Sequence, residues 1–290
     1  MRILILGASG MLGHKLWSFL PSRFPMTYAA IRGCRDDYKE LDLFKDEGRV
    51  IEKVDALNFP GLEKVLDKIR PDIVLDCIGV TKRKEKTGDT DIVIALNTLL
   101  PHRLAAWGAK NNAKIINFST DCVFDGKIGS YTEESAASAA DIYGKTKAGG
   151  ELKDGNTLTL RSSFIGTELS RGSELLEWFL AQSGIVKGYR NAIYSGFTTL
   201  ELCRIVQKLL VDFPQARGLY NVSSEPISKF DLLMLIKEKM DLNIEIVPDD
   251  NFFCNRSLDS SKFRREFGYT PPSWEKMIDE LAIELKGRKR

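Results

Sequence analysis

Short apolar runs alternate with amphipathic stretches as far as Arg161. Ile3–Leu6 is entirely apolar, which is typical of a strand buried on both faces of a parallel sheet. Leu62–Ile69 has its apolar residues at helical spacing. The pattern predicts strands at Ile3–Leu6, Met26–Ile31, Val50–Val54, Ile73–Ile78, Ile115–Phe118 and Leu158–Leu160, and helices at Met11–Leu20, Leu62–Ile69, Ile92–Lys110 (bent by Pro101) and Ile142–Leu152. This alternation indicates an α/β fold with a Rossmann-type doubly wound parallel sheet.

The alternation is looser in the later part of the chain. There the pattern predicts helices at Leu175–Leu180, Leu200–Val211, Phe230–Met240 and Trp274–Leu285, and strands at Leu219–Val222 and Ile244–Val247. We therefore expect two domains. Residues 1–165 form an NAD(P)-binding Rossmann domain, and residues 166–290 form a smaller mixed α/β substrate-binding lobe, parts of which can return to the first domain.

Composition argues against several classes of protein. Lys and Arg total 42 against 40 Asp and Glu, a net charge of +2, whereas nucleic-acid and anionic-membrane binders carry a marked basic excess. No apolar run reaches the roughly 18 residues of a membrane span, and the start of the chain is unlike a secretory signal, so we expect a cytoplasmic protein. Five cysteines without C-x-x-C spacing and two histidines predict no metal site.

A glycine-rich turn follows the first predicted strand. Its sequence is Gly7-Ala8-Ser9-Gly10-Met11-Leu12-Gly13, and a helix is predicted to begin within it. Glycines let the backbone approach a pyrophosphate closely, and the amide groups at a helix start face its negative charge. A tight strand–helix turn without a ligand has the same appearance, but the position favours a dinucleotide held by Gly7, Ser9, Gly10, Met11, Leu12 and Gly13.

The end of the second predicted strand bears on the choice between NAD and NADP. A carboxylate there would accept a hydrogen bond from the ribose, whereas an arginine would pair with a 2′-phosphate. The strand ends at Ile31-Arg32, with Arg35 nearby and Lys15 in the first helix. Arg32 therefore favours NADP (NADPH) over NAD, the alternative being that Arg32 is a solvated loop charge.

A second group of polar residues has the order expected of a redox site. Ser119-Thr120-Asp121 follows a predicted strand, and Tyr143 and Lys147 are four residues apart on one helix face. A neighbouring ammonium group is expected to lower the pKa of the Tyr143 phenol, which makes it a usable acid. Thr120 can hydrogen-bond and orient the reacting oxygen.

Together these motifs resemble the extended short-chain dehydrogenase/reductase family, most closely its dTDP-4-dehydrorhamnose reductase branch. The resemblance rests on the glycine turn, residues 119–126, Tyr143-Gly144-Lys145-Thr146-Lys147, Gly149-Gly150-Glu151 and Leu160-Arg161-Ser162-Ser163. It implies an NADP-dependent reductase of a nucleotide-activated 4-keto-6-deoxysugar that serves cell-surface polysaccharide synthesis. It also implies Thr120, Tyr143 and Lys147 as the catalytic residues.

The resemblance extends to further positions around the cofactor and the substrate. It implies that Asp55 and Ala56 contact the adenine, that Ile78 and Gly79 lie over the cofactor, and that Asn97 supports the cofactor site and its geometry. The substrate residues that it implies are Thr81, Thr120, Asp121 and Phe164. The nucleotide sugar is the expected partner, and the sequence leaves a homodimer open.

Some positions depart from the family pattern and leave alternatives open. Cys122 replaces a tyrosine of the branch and is expected to be a packed apolar thiol, and residues 82–89 form an unusually basic insertion that would face either a nucleotide diphosphate or solvent. A sugar-nucleotide 4-epimerase uses the same tyrosine and lysine. A non-catalytic NADP-binding regulatory subunit, as in methionine adenosyltransferase, is similar to the same branch, but the intact Thr120, Tyr143 and Lys147 favour an enzyme.

Overall fold

A parallel sheet lies at the centre of the structure, a computed structural model that describes residues 1–41, 43–81, 89–169, 172 and 174–287. Apart from Asp89, the basic insertion therefore lies outside the described residues. The strands of the described chain are β1 (Ile3–Leu6), β2 (Thr27–Ala30), β3 (Val50–Ile51), β4 (Ile73–Asp76), β5 (Lys114–Ser119), β6 (Thr157–Arg161), β7 (Phe164–Ile165), β8 (Gly184–Tyr189), β9 (Ala192–Tyr194), β10 (Phe197–Thr198), β11 (Gly218–Asn221), β12 (Ile227–Ser228), β13 (Ile244–Asp249) and β14 (Cys254–Asn255).

The helices of the described residues are α1 (Met11–Phe19), α2 (Phe59–Ile69), α3 (Thr90–Ile94), α4 (Leu100–Asn111), α5 (Ile142–Gly149), α6 (Leu175–Leu180), α7 (Thr199–Asp212), α8 (Lys229–Lys239), α9 (Ser261–Phe267) and α10 (Trp274–Gly287). The predicted helices are present to within a few residues at their ends, except that the predicted run Ile92–Lys110 is divided into α3 and α4 and that α9 was not predicted. Helix α2 begins earlier than predicted because the side chain of Asn58 caps it by accepting a hydrogen bond from the Gly61 amide.

The central sheet of the described residues has seven strands in the order β11-β6-β5-β4-β1-β2-β3, and all of its pairings are parallel. This confirms the predicted doubly wound Rossmann-type fold. The strand order reverses between β1 and β4, and the crevice at such a reversal is where open α/β sheets bind ligands. Strand β11 comes from the later half of the chain, so that half returns to the sheet beside β6.

The helical run that contains Pro101 is accommodated by a change of helix type. Residues Ala95–Leu99 form a π-helical turn between α3 and α4, directly before the proline. Proline lacks an N–H and crowds the carbonyl group four residues earlier, and a π turn is one way to relieve both problems. The turn places Asn97, which is fully buried, against α5.

The two faces of the sheet are covered by different helices. Ile3 and Ile5 of β1 face a core that includes Leu16 of α1 and Val206 of α7. Leu4 and Leu6 of the same strand face a second core that includes residues of α2 and α4, as the two-residue period of a strand requires. The smaller sheets β8–β13, β12–β9–β14 and β7–β10 are formed by strands that follow β6 in the chain. Among the described residues, no helix has the length and apolarity needed to cross a bilayer.

Candidate active site

A cleft of about 380 Å³ lies beside the carboxyl ends of β1, β4 and β5. One end is formed by the glycine turn before α1, and the other by β5, α5 and residues of the later chain. Of the residues predicted from sequence, the cleft is lined by Gly10, Met11, Leu12, Ile78, Gly79, Thr81, Thr120, Tyr143, Lys147 and Phe164. Segments that are far apart in the chain therefore meet at one place.

Close backbone approaches hold the glycine turn in shape. Gly7 has a φ of +70°, and a Cβ atom at Gly13 would lie 2.2 Å from the Gly7 carbonyl oxygen. A side chain at either position is therefore incompatible with the turn. Gly7 and Ser9 form the turn, Gly13 packs against it from within α1, and Gly10, Met11 and Leu12 line the cleft at the start of that helix. The open, glycine-lined start of a helix fits the pyrophosphate of a dinucleotide.

Thr120 and Tyr143 lie together at the other end of the cleft. Thr120 caps a short helical turn by accepting a hydrogen bond from the Cys122 amide at 3.1 Å, and it donates one to Asp121 Oδ1 at 3.2 Å. Lys147 is one helical turn after Tyr143, and its Nζ donates to the carbonyl oxygen of Phe118 at 2.8 Å. The three predicted catalytic side chains thus line the same cleft.

The predicted effect of Lys147 on Tyr143 is wrong in this structure. Burial of the phenol, followed by the nearby Cys122, raises the pKa of Tyr143, and the neighbouring Thr120 hydroxyl group only partly opposes this rise. The ammonium group of Lys147 instead contacts the Phe118 carbonyl and interacts electrostatically with Asp76. At neutral pH Tyr143 is therefore a protonated phenol, which is the form that can donate a proton.

Asp76 is a residue of the cleft that the sequence patterns did not single out. It ends β4, is 1% exposed, and accepts a hydrogen bond from the Ile78 amide at 3.1 Å through Oδ1. Burial raises the pKa of Asp76 to about 6, although Lys147 opposes the shift. Burial also lowers the pKa of Lys147, and Asp76 is the largest influence that opposes it.

The three candidate cations for a cofactor phosphate differ in their partners. Arg35 pairs with Glu47 and Glu52, and Lys15 pairs with Glu284. Arg32, just beyond β2, is exposed and has no hydrogen bond or ion pair within the described chain. Asp55, which is exposed, and Ala56, which is buried, follow β3. Arg32, Asp55 and Ala56 all lie outside the wall of the cleft.

Asn97 does not line the cleft but fixes a segment that does. Its Oδ1 accepts a hydrogen bond from the Val80 amide at 2.9 Å, and its Nδ2 donates to the Val80 carbonyl at 3.0 Å. Nδ2 also lies 3.2 Å from Thr146 Oγ1 in α5. Asn97 therefore ties the chain after Gly79 to the helix that carries Tyr143 and Lys147.

The predicted substrate residues have different positions. Thr81 lines the cleft and donates to Glu174 Oε1 at 3.0 Å, and Phe164 lines it at the start of β7. Asp121 is buried outside the wall of the cleft, where it accepts the hydrogen bond from Thr120. The expectation of apolar packing for Cys122 is wrong, because this half-buried thiol lines the cleft and accepts a hydrogen bond from Arg256 Nη1 at 3.7 Å.

The later chain supplies cleft residues that no motif indicated. Glu174 precedes α6, Tyr194 ends β9 and Lys229 begins α8, and all three line the cleft. Burial raises the pKa of Tyr194 well above its ordinary value. None of the three lies in a recognisable spacing, so the signal that places them is the fold itself.

Among the described residues, no group of three or more histidine, cysteine or carboxylate side chains could hold a metal ion.

Comparisons with known proteins agree with this geometry. The model of the RmlD substrate binding domain family matches residues 1–164. A dTDP-4-dehydrorhamnose reductase of Aggregatibacter actinomycetemcomitans is 25% identical over 97% of this chain and 98% of its own. Methionine adenosyltransferase 2 subunit beta of Rattus norvegicus is 28% identical, but over only 52% of this chain and 41% of its own.

A solved structure gives the same result for the fold. The dTDP-4-dehydrorhamnose reductase of Bacillus anthracis in complex with NADP superposes with a TM-score of 0.78 at 22% identity, covering 98% of this chain and 99% of the other. The fold and the resemblance predicted from the sequence motifs are confirmed. The chain belongs to the RmlD substrate binding domain family, within the extended short-chain dehydrogenases/reductases.

Proposed function

We propose that this protein is an NADP-dependent reductase of a nucleotide-activated 4-keto-6-deoxysugar. The observation that carries the proposal is the meeting of Thr120, Tyr143 and Lys147 in a cleft whose far end is a glycine turn fitted to a pyrophosphate. The relative that covers almost the whole chain is a dTDP-4-dehydrorhamnose reductase, which supports a sugar nucleotide as the substrate.

Each of the three side chains has a task that follows from its surroundings. Tyr143, protonated at neutral pH, donates its proton to the C4 carbonyl oxygen of the sugar. Thr120, which lines the cleft together with Tyr143, orients that oxygen, and Lys147 has donors left for a ribose hydroxyl after its bond to Phe118. When bound, NADPH supplies the hydride to C4.

The residues of the cleft also indicate how the cofactor is held. Gly10, Met11 and Leu12 would hold the pyrophosphate at the start of α1, and Ile78 and Gly79 would line the cofactor site after β4. Arg32, Asp55 and Ala56 would hold the adenosine half at the ends of β2 and β3. The absence of a described partner for Arg32 supports its use for the 2′-phosphate.

A panel of nucleotide-activated 4-ketosugars, with NADPH oxidation as the readout, tests the proposed function. We expect turnover with a 4-keto-6-deoxysugar and little with the corresponding sugar that has no ketone. Tight NADPH binding without turnover on any ketosugar would contradict the proposal and favour a regulatory subunit. Interconversion of C4 epimers without net NADPH consumption would instead favour a 4-epimerase.

The replacement of Arg32 by alanine should discriminate between the two cofactors. A charge-assisted hydrogen bond to a phosphate is worth about 1.5–3 kcal/mol, so the affinity for NADPH should fall by about 10-fold or more, while that for NADH changes little. Arg35→Ala is the matched control, since Arg35 is held by two glutamates. Calorimetric titration of each of the two variants with NADPH and with NADH measures the four affinities. Equal losses of affinity for NADPH and NADH in Arg32→Ala would remove Arg32 from the phosphate site.

A further inference from the structure

Only one of the two carboxylate oxygens of Asp76 forms a hydrogen bond among the described residues. Oδ1 accepts a hydrogen bond from the Ile78 amide at 3.1 Å, which closes the turn after β4. Oδ2 is buried and has no hydrogen-bond partner among the described residues. The residue is 1% exposed and lines the cleft together with Tyr143 and Lys147. A buried acceptor without a partner is costly and calls for an explanation.

The turn itself does not need a charge at this position. An asparagine would keep the Oδ1 bond to Ile78, whereas a buried carboxylate is costly to ionise. Because the pKa of Asp76 in the fold is about 6, above its ordinary value of 3.8, folding favours proton uptake between these values and stability falls as the pH rises through that window. Ionisation of Asp76 at neutral pH therefore costs stability, and the unpartnered Oδ2 in the wall of the cleft points to a role in function.

Lys147 is the cation that interacts with this carboxylate. It is 5% exposed, and its one hydrogen bond in the described chain goes to a neutral carbonyl, that of Phe118. The groups that favour its charge are Asp76, then Glu151, then Cys77. Glu151 is already paired with Arg161, and Cys77 is a half-buried thiol whose pKa is raised by desolvation, so Asp76 is the available counter-charge.

We infer that Asp76 is a positioning residue that keeps Lys147 charged at the end of the cleft. Asp76 and Lys147 do not form a hydrogen-bonded ion pair within the described residues, so the carboxylate acts without direct contact and leaves donors of the ammonium group for a ligand. The role of Lys147 as a ligand-binding group rests on the proposed function. The electrostatic coupling itself is a property of the free protein.

A double-mutant cycle on the free protein tests the coupling without any substrate. It combines Asp76→Asn with Lys147→Met, and the unfolding equilibrium constant is measured in urea at about pH 7.5 and about pH 5, above and below the pKa of Asp76. At the higher pH, the factor by which Asp76→Asn changes the unfolding equilibrium constant should differ by at least ~10-fold between the wild-type protein and Lys147→Met. This factor corresponds to one pKa unit. At the lower pH, the two effects should agree within about 2-fold.

Lys114 provides a matched control for the cycle. Like Lys147, it is 5% exposed and donates a hydrogen bond to a backbone carbonyl, that of Pro214, at 2.8 Å. It lies at the amino end of β5, however, whereas the cleft lies at the carboxyl end of that strand. Asp76→Asn combined with Lys114→Met should be additive at both pH values. Lys147→Arg, which keeps the positive charge, should restore the coupling. If Lys147→Met does not fold, Lys147→Gln takes its place in the cycle.

The pH dependence of NADPH affinity supplies a second readout. In Asp76→Asn, the loss of affinity at alkaline pH should begin about one pH unit lower than in the wild type, since Lys147 then gives up its proton more readily. An additive cycle, or identical pH profiles, would overturn the role of Asp76. A coupled cycle in a protein that reduces no ketosugar would keep this role and reject the proposed function.

Discussion

Replacing Tyr143 by phenylalanine is expected to lower kcat by at least about 100-fold, since general acid catalysis contributes that much or more. The substitution removes the phenol hydroxyl group and leaves the aromatic ring in the wall of the cleft. The affinity for NADPH should remain close to that of the wild type. Steady-state kinetics on the ketosugar, together with a cofactor titration, measure the two effects separately.

Two other tyrosines make this test specific. Tyr220 donates to Glu266 from strand β11, outside the cleft, so Tyr220→Phe should keep its kcat. Tyr194 is a second buried phenol in the cleft itself. If Tyr143→Phe turned over normally while Tyr194→Phe did not, the proton donor would be Tyr194 and the present assignment would be wrong.

The loss of Arg161 should cause the largest change in stability. This fully buried guanidinium group makes two hydrogen bonds to Glu151, at 2.8 and 2.7 Å, and a third to Asn221 at 3.1 Å. Glu151 also accepts a hydrogen bond from Ser119, the residue before Thr120. Arg161→Met leaves the carboxylate buried without its cation, so the free energy of unfolding should fall by about 3–5 kcal/mol in urea titrations.

A partner variant separates the missing charge from the missing side-chain volume. The double variant Arg161→Met, Glu151→Leu removes both charges, so much of the lost stability should return. Lys208→Met, which breaks an exposed pair with Asp212 one helical turn away, should cost only about 0.5 kcal/mol. A single Arg161→Met variant as stable as the wild type would show that this buried pair does not stabilise the fold beneath the site.

The cofactor end of the molecule could be predicted because it is made from consecutive residues. Strand β1 lies at Ile3–Leu6 as predicted, and the turn that begins at Gly7 leads directly into α1 at Met11. Apolar pattern, glycine spacing and helix start are all local signals. The spacing of Tyr143 and Lys147 is local too, since both residues lie on α5.

Properties that depend on distant residues could not be predicted in the same way. Strand β11 pairs with β6, and Glu174 lines the cleft. Both features depend on contacts between segments that are far apart in the chain. The predicted lowering of the pKa of Tyr143 was wrong, because the spacing of two residues in the sequence shows neither how deeply the phenol is buried nor where the Lys147 ammonium group points. In the sequence, Asp76 looks like an ordinary strand end, because the pattern shows neither its burial nor its place in the wall of the cleft.

The transfer of hydride to the sugar is tested most directly with NADPH that carries deuterium at its transferable position. The reaction is run in ordinary water on a nucleotide-activated 4-keto-6-deoxysugar, and a parallel reaction is run in D₂O with unlabelled NADPH. NMR of the products should show cofactor deuterium at C4 and no solvent deuterium at C3 or C5. A product without deuterium at C4, or exchange at C3 or C5, would contradict direct reduction of the ketone.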